Sequence, residues 1–207
     1  MSDTNLDNLE NVFYSIIGPH ADKPPEQIIA DKQEEIQNCG YALWGAEIRS
    51  PLEQVWELDK NARVAVLCII NNKAEDPHKK SRRANRMITP EGKLEIPDGI
   101  NTTFSSEGKG EYKAYKVKKI EILDAPLTFD FGKFEAYTRS RNRWESFAER
   151  FNQKQFQNVY GRRNDKLTES YLKKGIKVIL ELEYPFAVHI TNFVADMKEN
   201  EQNKETT

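Results

Sequence analysis

Residues Ala62 to Ile70 read ARVAVLCII, and the part from Val64 onward is the longest uninterrupted apolar run in the chain. Its length suits one β-strand and falls far below the roughly 18 apolar residues that a membrane span needs. A strand that is apolar at nearly every position is typical of a sheet covered on both faces. The run therefore predicts a central strand, in which Cys68 is a small buried side chain.

The segments before this strand alternate between strand and helix signals. Asn11–Ile17 (NVFYSII) is rich in strand formers and ends at a Gly-Pro turn. A helix is predicted from Pro25 to Gly40, because proline suits the first helical turn and glycine commonly ends a helix. Tyr41–Ile48 (YALWGAEI) predicts a second strand, and Ser50–Glu53 has the capping-box pattern that opens a short helix.

The chain changes character after the central strand. Residues 71–110 are polar and rich in turn signals, which predicts a long, partly hairpin-forming loop region. Tyr112–Leu123 (YKAYKVKKIEIL) predicts a strand in which the apolar phase switches between Val117 and Ile120. One extra residue in the strand, a β-bulge near Lys118-Lys119, would produce this switch.

The last third is predicted to hold one or two helices and two closing strands. Asn142–Tyr160 places Trp144, Phe147 and Phe151 at helical spacing, which predicts an amphipathic helix. The remaining predicted elements are a shorter helix over residues 167–174 and strands over residues 176–183 and 186–193, separated by Pro185.

Together these elements predict one α+β domain over residues 11–195, with disordered tails over residues 1–10 and 196–207. Short crossovers and clustered late strands favour a mixed, mostly antiparallel sheet or an open barrel, flanked by three to four helices. The N-terminus lacks the basic start and apolar core of a secretory signal. Without such a signal or a membrane span, a cytoplasmic protein with no membrane partner is predicted.

The net charge of −2 hides a strong segregation of charge along the chain. Residues 1–60 carry twelve acidic and four basic side chains, whereas residues 61–195 carry twenty-five basic and seventeen acidic ones. Segregated charge creates a directional field. The basic body predicts a polyanion partner, RNA or DNA. The alternative partner is a protein, such as a second copy that docks through the acidic N-terminal third.

Basic residues concentrate in three clusters. Residues 79–86 (KKSRRANR), here called the basic segment, hold five positive charges on a predicted loop. Three arginines precede the predicted Trp144 helix, and two more follow Gly161. Such clusters suit phosphate oxygens, although a solvated loop without a partner has the same composition. The candidate nucleic-acid-binding residues are Lys79, Lys80, Arg82, Arg83, Arg86, Arg139, Arg141, Arg143, Arg162 and Arg163.

Aromatic residues on and near the second predicted strand suggest how a base could be held. Tyr41, Trp44 and Trp56 could grip a flat base by stacking, with ordinary core packing as the alternative. With the long loop and the YKVKKIEIL stretch, this element order resembles the PUA-like superfamily, especially its EVE, YTH and ASCH branches. The resemblance implies a small barrel that reads a modified or flipped base through an aromatic pocket, here those three residues, beside a basic surface. A binding module without catalytic activity is therefore the leading prediction.

One pattern favours an enzyme instead. Asp98, Glu107 and Lys109 match the PD…ExK skeleton of nucleases, in which two carboxylates hold Mg²⁺. The Glu-Gly-Lys letters lie in SSEGKGE, which is typical of a turn rather than of an apolar strand. Apart from this Mg²⁺, no cofactor or metal is predicted. The two cysteines and three histidines lack ligand spacing, and no phosphate-binding loop or nucleophile-elbow motif occurs.

Overall fold

The computed structural model describes residues 11–20, 22–46, 55–72, 81–82, 86–101, 104–105, 111–127, 135–138, 143–146 and 175–191. These ranges hold one helix with defined bounds and eleven strands. The elements are β1 (Asn11–Ile17), α1 (Pro25–Cys39), β2 (Ala42–Ala46), β3 (Val64–Ile70), β4 (Ser81–Arg82), β5 (Arg86–Thr89), β6 (Gly92–Glu95), β7 (Phe104–Ser105), β8 (Glu111–Leu127), β9 (Glu135–Thr138), β10 (Arg143–Ser146) and β11 (Ile176–Thr191).

The apolar run ARVAVLCII forms a central strand, as its composition predicts. β3 lies between β1, which runs parallel to it, and β11, which runs antiparallel. Its first six residues are buried, including Cys68. Side chains that alternate between two faces can all be buried only where both faces are covered, so this strand anchors the sheet.

Seven strands, β3 among them, form one mixed sheet, whose centre is the pair of long strands β8 and β11. Short strands fill the flanks of this pair. Along its first half β11 pairs with β3, and along its second half it pairs with β5, which forms a hairpin with β6. β2 pairs with the first part of β8 on the far side. The predicted mixed, mostly antiparallel pairing agrees with this arrangement.

The predicted bulge in β8 is confirmed by the register of the two long strands. Val117 pairs with Leu182, and Lys119 pairs with the adjacent Glu181, so Lys118 is an extra residue without a counterpart in β11. Because side chains alternate between faces, one extra residue changes the phase. The bulge therefore lets Val117 and Ile120 both be buried although three positions separate them.

A second irregularity lies where β11 exchanges β3 for β5 as its neighbour. Residues 183–186 of β11 lie opposite the single residue Lys116 of β8, between the pairs Leu182–Val117 and Ala187–Tyr115. The Trp56 indole N–H donates a 2.7 Å hydrogen bond to the Ala187 carbonyl at this point. Pro185 is compatible with this position, because a proline that lacks an N–H fits where the regular ladder is interrupted.

The buried apolar side chains form two clusters. The larger contains β3, the first half of β11 and the central part of β8, with Trp44 and Val55. The smaller contains Leu43, Met87, Ala114, Val188 and Ile190, and three partly buried residues pack against it. These three are Tyr41, Ile96 and Ile100.

The predicted α+β fold with three to four flanking helices is wrong for the described part of the chain, which is mostly sheet. α1 is the one helix there with defined bounds, although Val55 and Trp56 are also helical. The smaller apolar cluster shows what replaces a helix. Ile96 and Ile100, which pack against this cluster, lie in a loop after β6.

The predicted Asn142–Tyr160 helix is wrong at its start. Arg143–Ser146 is the strand β10, which pairs antiparallel with β9. Apolar spacing over a few residues does not separate a helix from a strand, and here pairing with β9 decides the local structure. The rest of that predicted helix, and the shorter one over residues 167–174, lie outside the described residues.

Candidate nucleic-acid interface

The basic segment joins the sheet at the end where β8 begins and β11 finishes. Arg86 opens β5 and pairs with Thr191, the last residue of β11, which in turn pairs with Glu111 of β8. Before it, Arg82 of β4 pairs with Phe104 of β7 in a separate two-stranded ribbon. The basic residues Lys79, Lys80 and Arg83 lie outside the described residues.

Residues 96–101, here called the 96–101 loop, connect β6 to the β4–β7 ribbon and pack against α1. Ile96 and Ile100 contact the smaller apolar cluster. The Asp98 carbonyl lies 3.6 Å from the Cys39 sulfur of α1. Gly99 has a φ of +96°, and a Cβ at this position would lie 3.4 Å from that sulfur. The loop therefore follows the helix closely, in a conformation that favours glycine.

Lys32 and Glu35 of α1 hold this loop through polar contacts. The Lys32 ammonium lies 2.7 and 2.9 Å from the two Glu35 carboxylate oxygens and donates a 3.1 Å hydrogen bond to the Asn101 carbonyl. The Asn101 N–H donates back to Glu35 at 3.2 Å, and the Leu43 N–H also donates to it. These four residues are called the Lys32–Glu35 cluster below.

Burial shifts the titration of both charged groups in this cluster. Desolvation raises the pKa of Glu35, although attraction to Lys32 and the hydrogen bonds that it accepts oppose the rise. Desolvation likewise lowers the pKa of Lys32 against the attraction of Glu35. In both cases the loss of water exceeds the gain from the partner charge.

Three of the four lysines on β8 have a glutamate close by. Lys116 lies 3.0 Å from Glu183, and Lys118 lies 2.9 Å from Glu181. Lys119 lies 3.6 Å from its own neighbour on the strand, Glu121. This surface therefore carries alternating charge rather than a continuous positive field.

The three aromatic residues predicted to form one pocket do not meet in one cluster. Trp44 is 8% exposed and packs in the larger apolar cluster, and Trp56 packs against that cluster with its N–H bonded to Ala187. Tyr41 packs against the smaller cluster, and the Lys116 ammonium lies 4.6 Å from the centre of its ring. The two tryptophans are therefore engaged by the protein itself.

The structure describes only some of the other predicted site residues. Arg143 is placed by its backbone on β10, which pairs only with β9 in the described part of the sheet topology. Asp98 lies exposed in the turn of the 96–101 loop. The residues outside the described ranges are Arg139, Arg141, Arg162, Arg163, Glu107 and Lys109.

The described residues also bear on the predicted metal and membrane properties. Within them, no group of three or more His, Cys, Asp or Glu side chains is arranged to hold a metal ion. Among the same residues no helix combines the length and apolarity needed to cross a membrane.

Sequence reasoning did not single out Lys32 and Glu35. Their spacing of three residues is common on exposed helices, where it indicates a surface pair. The residue that binds both of them, Asn101, is 66 positions from Glu35 in the sequence. No local pattern in α1 signals that contact.

Compared with protein-family models, with curated proteins and with solved structures, the chain matches none. The PUA-like resemblance therefore stays a prediction, and the functional argument depends on the chain's own charges and contacts.

Proposed function

We propose that the chain binds nucleic acid and that the basic segment supplies the main contacts to phosphate oxygens. The observation that carries the proposal is the density of positive charge in the basic segment, compared with the alternating charge of β8. The β8 lysines Lys116, Lys118 and Lys119 each have a glutamate within 4 Å, at 3.0, 2.9 and 3.6 Å respectively. The sequence from His78 to Thr89 holds five positive charges and no acidic residue.

A segment dense in basic residues suits a polyanion for a thermodynamic reason. Each phosphate that a lysine or arginine neutralises releases condensed counterions, which favours binding at low salt. A lysine that already has a glutamate partner gains less, because binding must first break that pair. The excess positive charge of residues 61–195 therefore supports a site in the basic clusters rather than on β8.

The β4–β7 ribbon supports the same location. Arg82 lies on this two-stranded ribbon, opposite Phe104, and Arg86 lies at the adjoining start of β5. Two-stranded ribbons are among the elements that proteins use against nucleic acids. The described residues of the basic segment, Ser81, Arg82 and Arg86, thus lie on extended backbone, which suits contact with a phosphate chain.

We propose contacts to the phosphate backbone rather than recognition of a base by the aromatic residues. Trp44 is 8% exposed, and the Trp56 N–H is already bonded to a carbonyl. A base could stack on Trp44 only if the larger apolar cluster opened. We therefore expect affinity to depend strongly on salt and weakly on base sequence.

The experiment measures fluorescence anisotropy of a labelled single-stranded RNA and a labelled DNA duplex of mixed sequence over a series of salt concentrations. The variant is Lys79→Ala/Lys80→Ala/Arg83→Ala. Its RNA affinity should fall roughly a hundredfold at about 0.1 M salt, with a salt dependence shallower by about 2 in the logarithmic slope.

A matched control removes the same charge from the sheet. Lys93, Lys118 and Lys119 are exposed, and changing all three to Ala should weaken binding much less than the first variant. Equal losses in the two variants would show that net charge alone governs binding. Wild-type protein that binds neither nucleic acid at low salt would overturn the proposal.

A further inference from the structure

The Lys32–Glu35 cluster holds two largely buried charged side chains, which is unusual for a surface helix. The Lys32 and Glu35 side chains are 14% and 7% exposed. Both groups contact the 96–101 loop, Lys32 through the Asn101 carbonyl and Glu35 through the Asn101 N–H. One residue of the loop is thus held by two charged groups at once.

This cluster is poorly explained by stability alone. Desolvation displaces the pKa of each group towards its neutral form, despite the opposite charge beside it. Replacing such a buried pair by neutral side chains of similar size is often neutral or stabilising. The charged pair instead provides directional hydrogen bonds. The ammonium donates to the Asn101 carbonyl and the carboxylate accepts from the Asn101 N–H, so both polar groups of this backbone are held in one position.

The position that the pair fixes lies close to the basic segment along the chain. Asn101 is three residues before Phe104, a separation of at most about 10 Å in extended chain. Phe104 pairs with Arg82 across the β4–β7 ribbon. The backbone of the basic segment is therefore connected to α1 through a short path of covalent and hydrogen bonds.

We infer that Lys32 and Glu35 are positioning residues for nucleic-acid binding, which hold the 96–101 loop and thereby the β4–β7 ribbon in the orientation that contacts phosphates. This inference rests on the proposed function. Holding the ribbon before binding lowers the conformational entropy that is lost in the complex. The pair itself makes no contact with the nucleic acid.

The test uses the full chain with Lys32→Met/Glu35→Gln, which removes one positive and one negative charge and leaves the net charge unchanged. We expect its midpoint of urea unfolding to be unchanged or higher. We expect its RNA affinity to be about 5-fold weaker, because a more mobile ribbon must be ordered on binding. The salt dependence should equal that of wild type, since the same phosphates are contacted.

The control variant is Lys23→Met/Asp31→Asn, which removes another ion pair on and next to α1 and also preserves net charge. These side chains are more exposed, at 48% and 30%, and Asp31 also accepts a hydrogen bond from Gln27. RNA affinity of this variant should match that of wild type. An equal loss in both variants would overturn the positioning role and indicate a general effect of altering α1.

Amide hydrogen exchange at Asn101 gives a readout that needs no nucleic acid. The Asn101 N–H should exchange faster in Lys32→Met/Glu35→Gln than in wild type, because the Asn101 carbonyl loses its Lys32 donor and a neutral glutamine is a weaker acceptor than the carboxylate. Unchanged exchange would overturn the inference, as would faster exchange with unaltered RNA affinity. If the wild-type chain binds no nucleic acid, the proposed function fails and this inference fails with it, whereas the exchange result still shows whether the pair holds the loop.

Discussion

Two lysine–glutamate pairs in this chain have similar geometry and different surroundings. The Lys32 Nζ lies 2.7 Å from a Glu35 carboxylate oxygen, and the Lys118 Nζ lies 2.9 Å from a Glu181 carboxylate oxygen. The first pair is 14% and 7% exposed, the second 44% and 29%. Distance alone would assign them the same role, so any difference in their effect must come from water and from neighbouring groups.

The comparison separates two uses of the same residue types. The more exposed pair keeps part of its hydration and contributes little to stability, but it neutralises charge on the sheet surface. The buried pair loses hydration, and the pKa of Glu35 is raised as a result. Its partners are backbone groups of another segment. Burial therefore converts an ordinary ion pair into a fixed connection between a helix and a loop.

The largest effect should come from removing the Glu35 acceptor. Glu35→Ala leaves the N–H groups of Asn101 and Leu43 without their carboxylate partner, and it also leaves a small cavity. We expect the free energy of unfolding to fall by about 3 kcal/mol, since each buried donor left unpaired costs about 1 to 3 kcal/mol. Urea unfolding followed by circular dichroism measures this change.

Glu35→Gln provides the matched control for that prediction. The glutamine side-chain oxygen can accept from the same N–H groups, so we expect a loss below about 1 kcal/mol. If Gln and Ala destabilise the chain equally, then the negative charge rather than the hydrogen bonds supports the loop. That result would contradict the conclusion that desolvation exceeds the attraction of Lys32.

An intermediate effect should appear in the dependence of stability on pH. The pKa of Glu35 is raised above its ordinary value of 4.5, so the folded chain binds this proton more tightly than the unfolded chain does. The stability from Glu35 is therefore fully present below pH 4.5 and is lost as the pH rises through the raised pKa. Unfolding free energies of wild type should fall relative to those of Glu35→Gln as the pH is raised from acidic to neutral.

The opposite slope would reverse the interpretation of the cluster. If wild type gains stability relative to Glu35→Gln as the pH rises, attraction to Lys32 exceeds desolvation and the pair stabilises the fold directly. The positioning role would then lose one of its supports, while the geometry of the contacts to Asn101 would remain.

The same contrast between local and distant contacts explains what the sequence could predict. β3 and α1 are marked locally, by an uninterrupted apolar run and by the residues Pro25 and Gly40 at the helix ends. The bulge at Lys118 is also local, because a change of apolar phase within one strand requires an extra residue. These features follow from a few neighbouring residues each.

The features that sequence reasoning missed depend on distant partners. Arg143–Ser146 suits a helix by spacing but pairs with β9. β11 continues past Pro185, because that proline lies in the irregular stretch where β11 exchanges one neighbour for another. The Lys32–Glu35 cluster depends on Asn101, and nothing within α1 indicates that a loop will cover it.

The candidate site also combines features that are visible in the local sequence with contacts that depend on distant residues. Clustering of basic residues is visible in the sequence, but whether a lysine is compensated depends on the strand beside it. β11 supplies Lys116 and Lys118 of β8 each with a glutamate. These ion pairs depend on a strand that is distant in the sequence, so composition alone does not reveal them.

The smallest effect should come from the exposed pair. Glu181→Ala should change the free energy of unfolding by less than about 1 kcal/mol, and a double-mutant cycle with Lys118→Ala should give a coupling of about 0.5 kcal/mol or less. Added salt should reduce this coupling, because both side chains remain partly hydrated. A coupling above about 2 kcal/mol that resists salt would mean that the Lys118 bulge shields the pair from water. The difference between this pair and Lys32–Glu35 would then come from their hydrogen-bond partners rather than from their hydration.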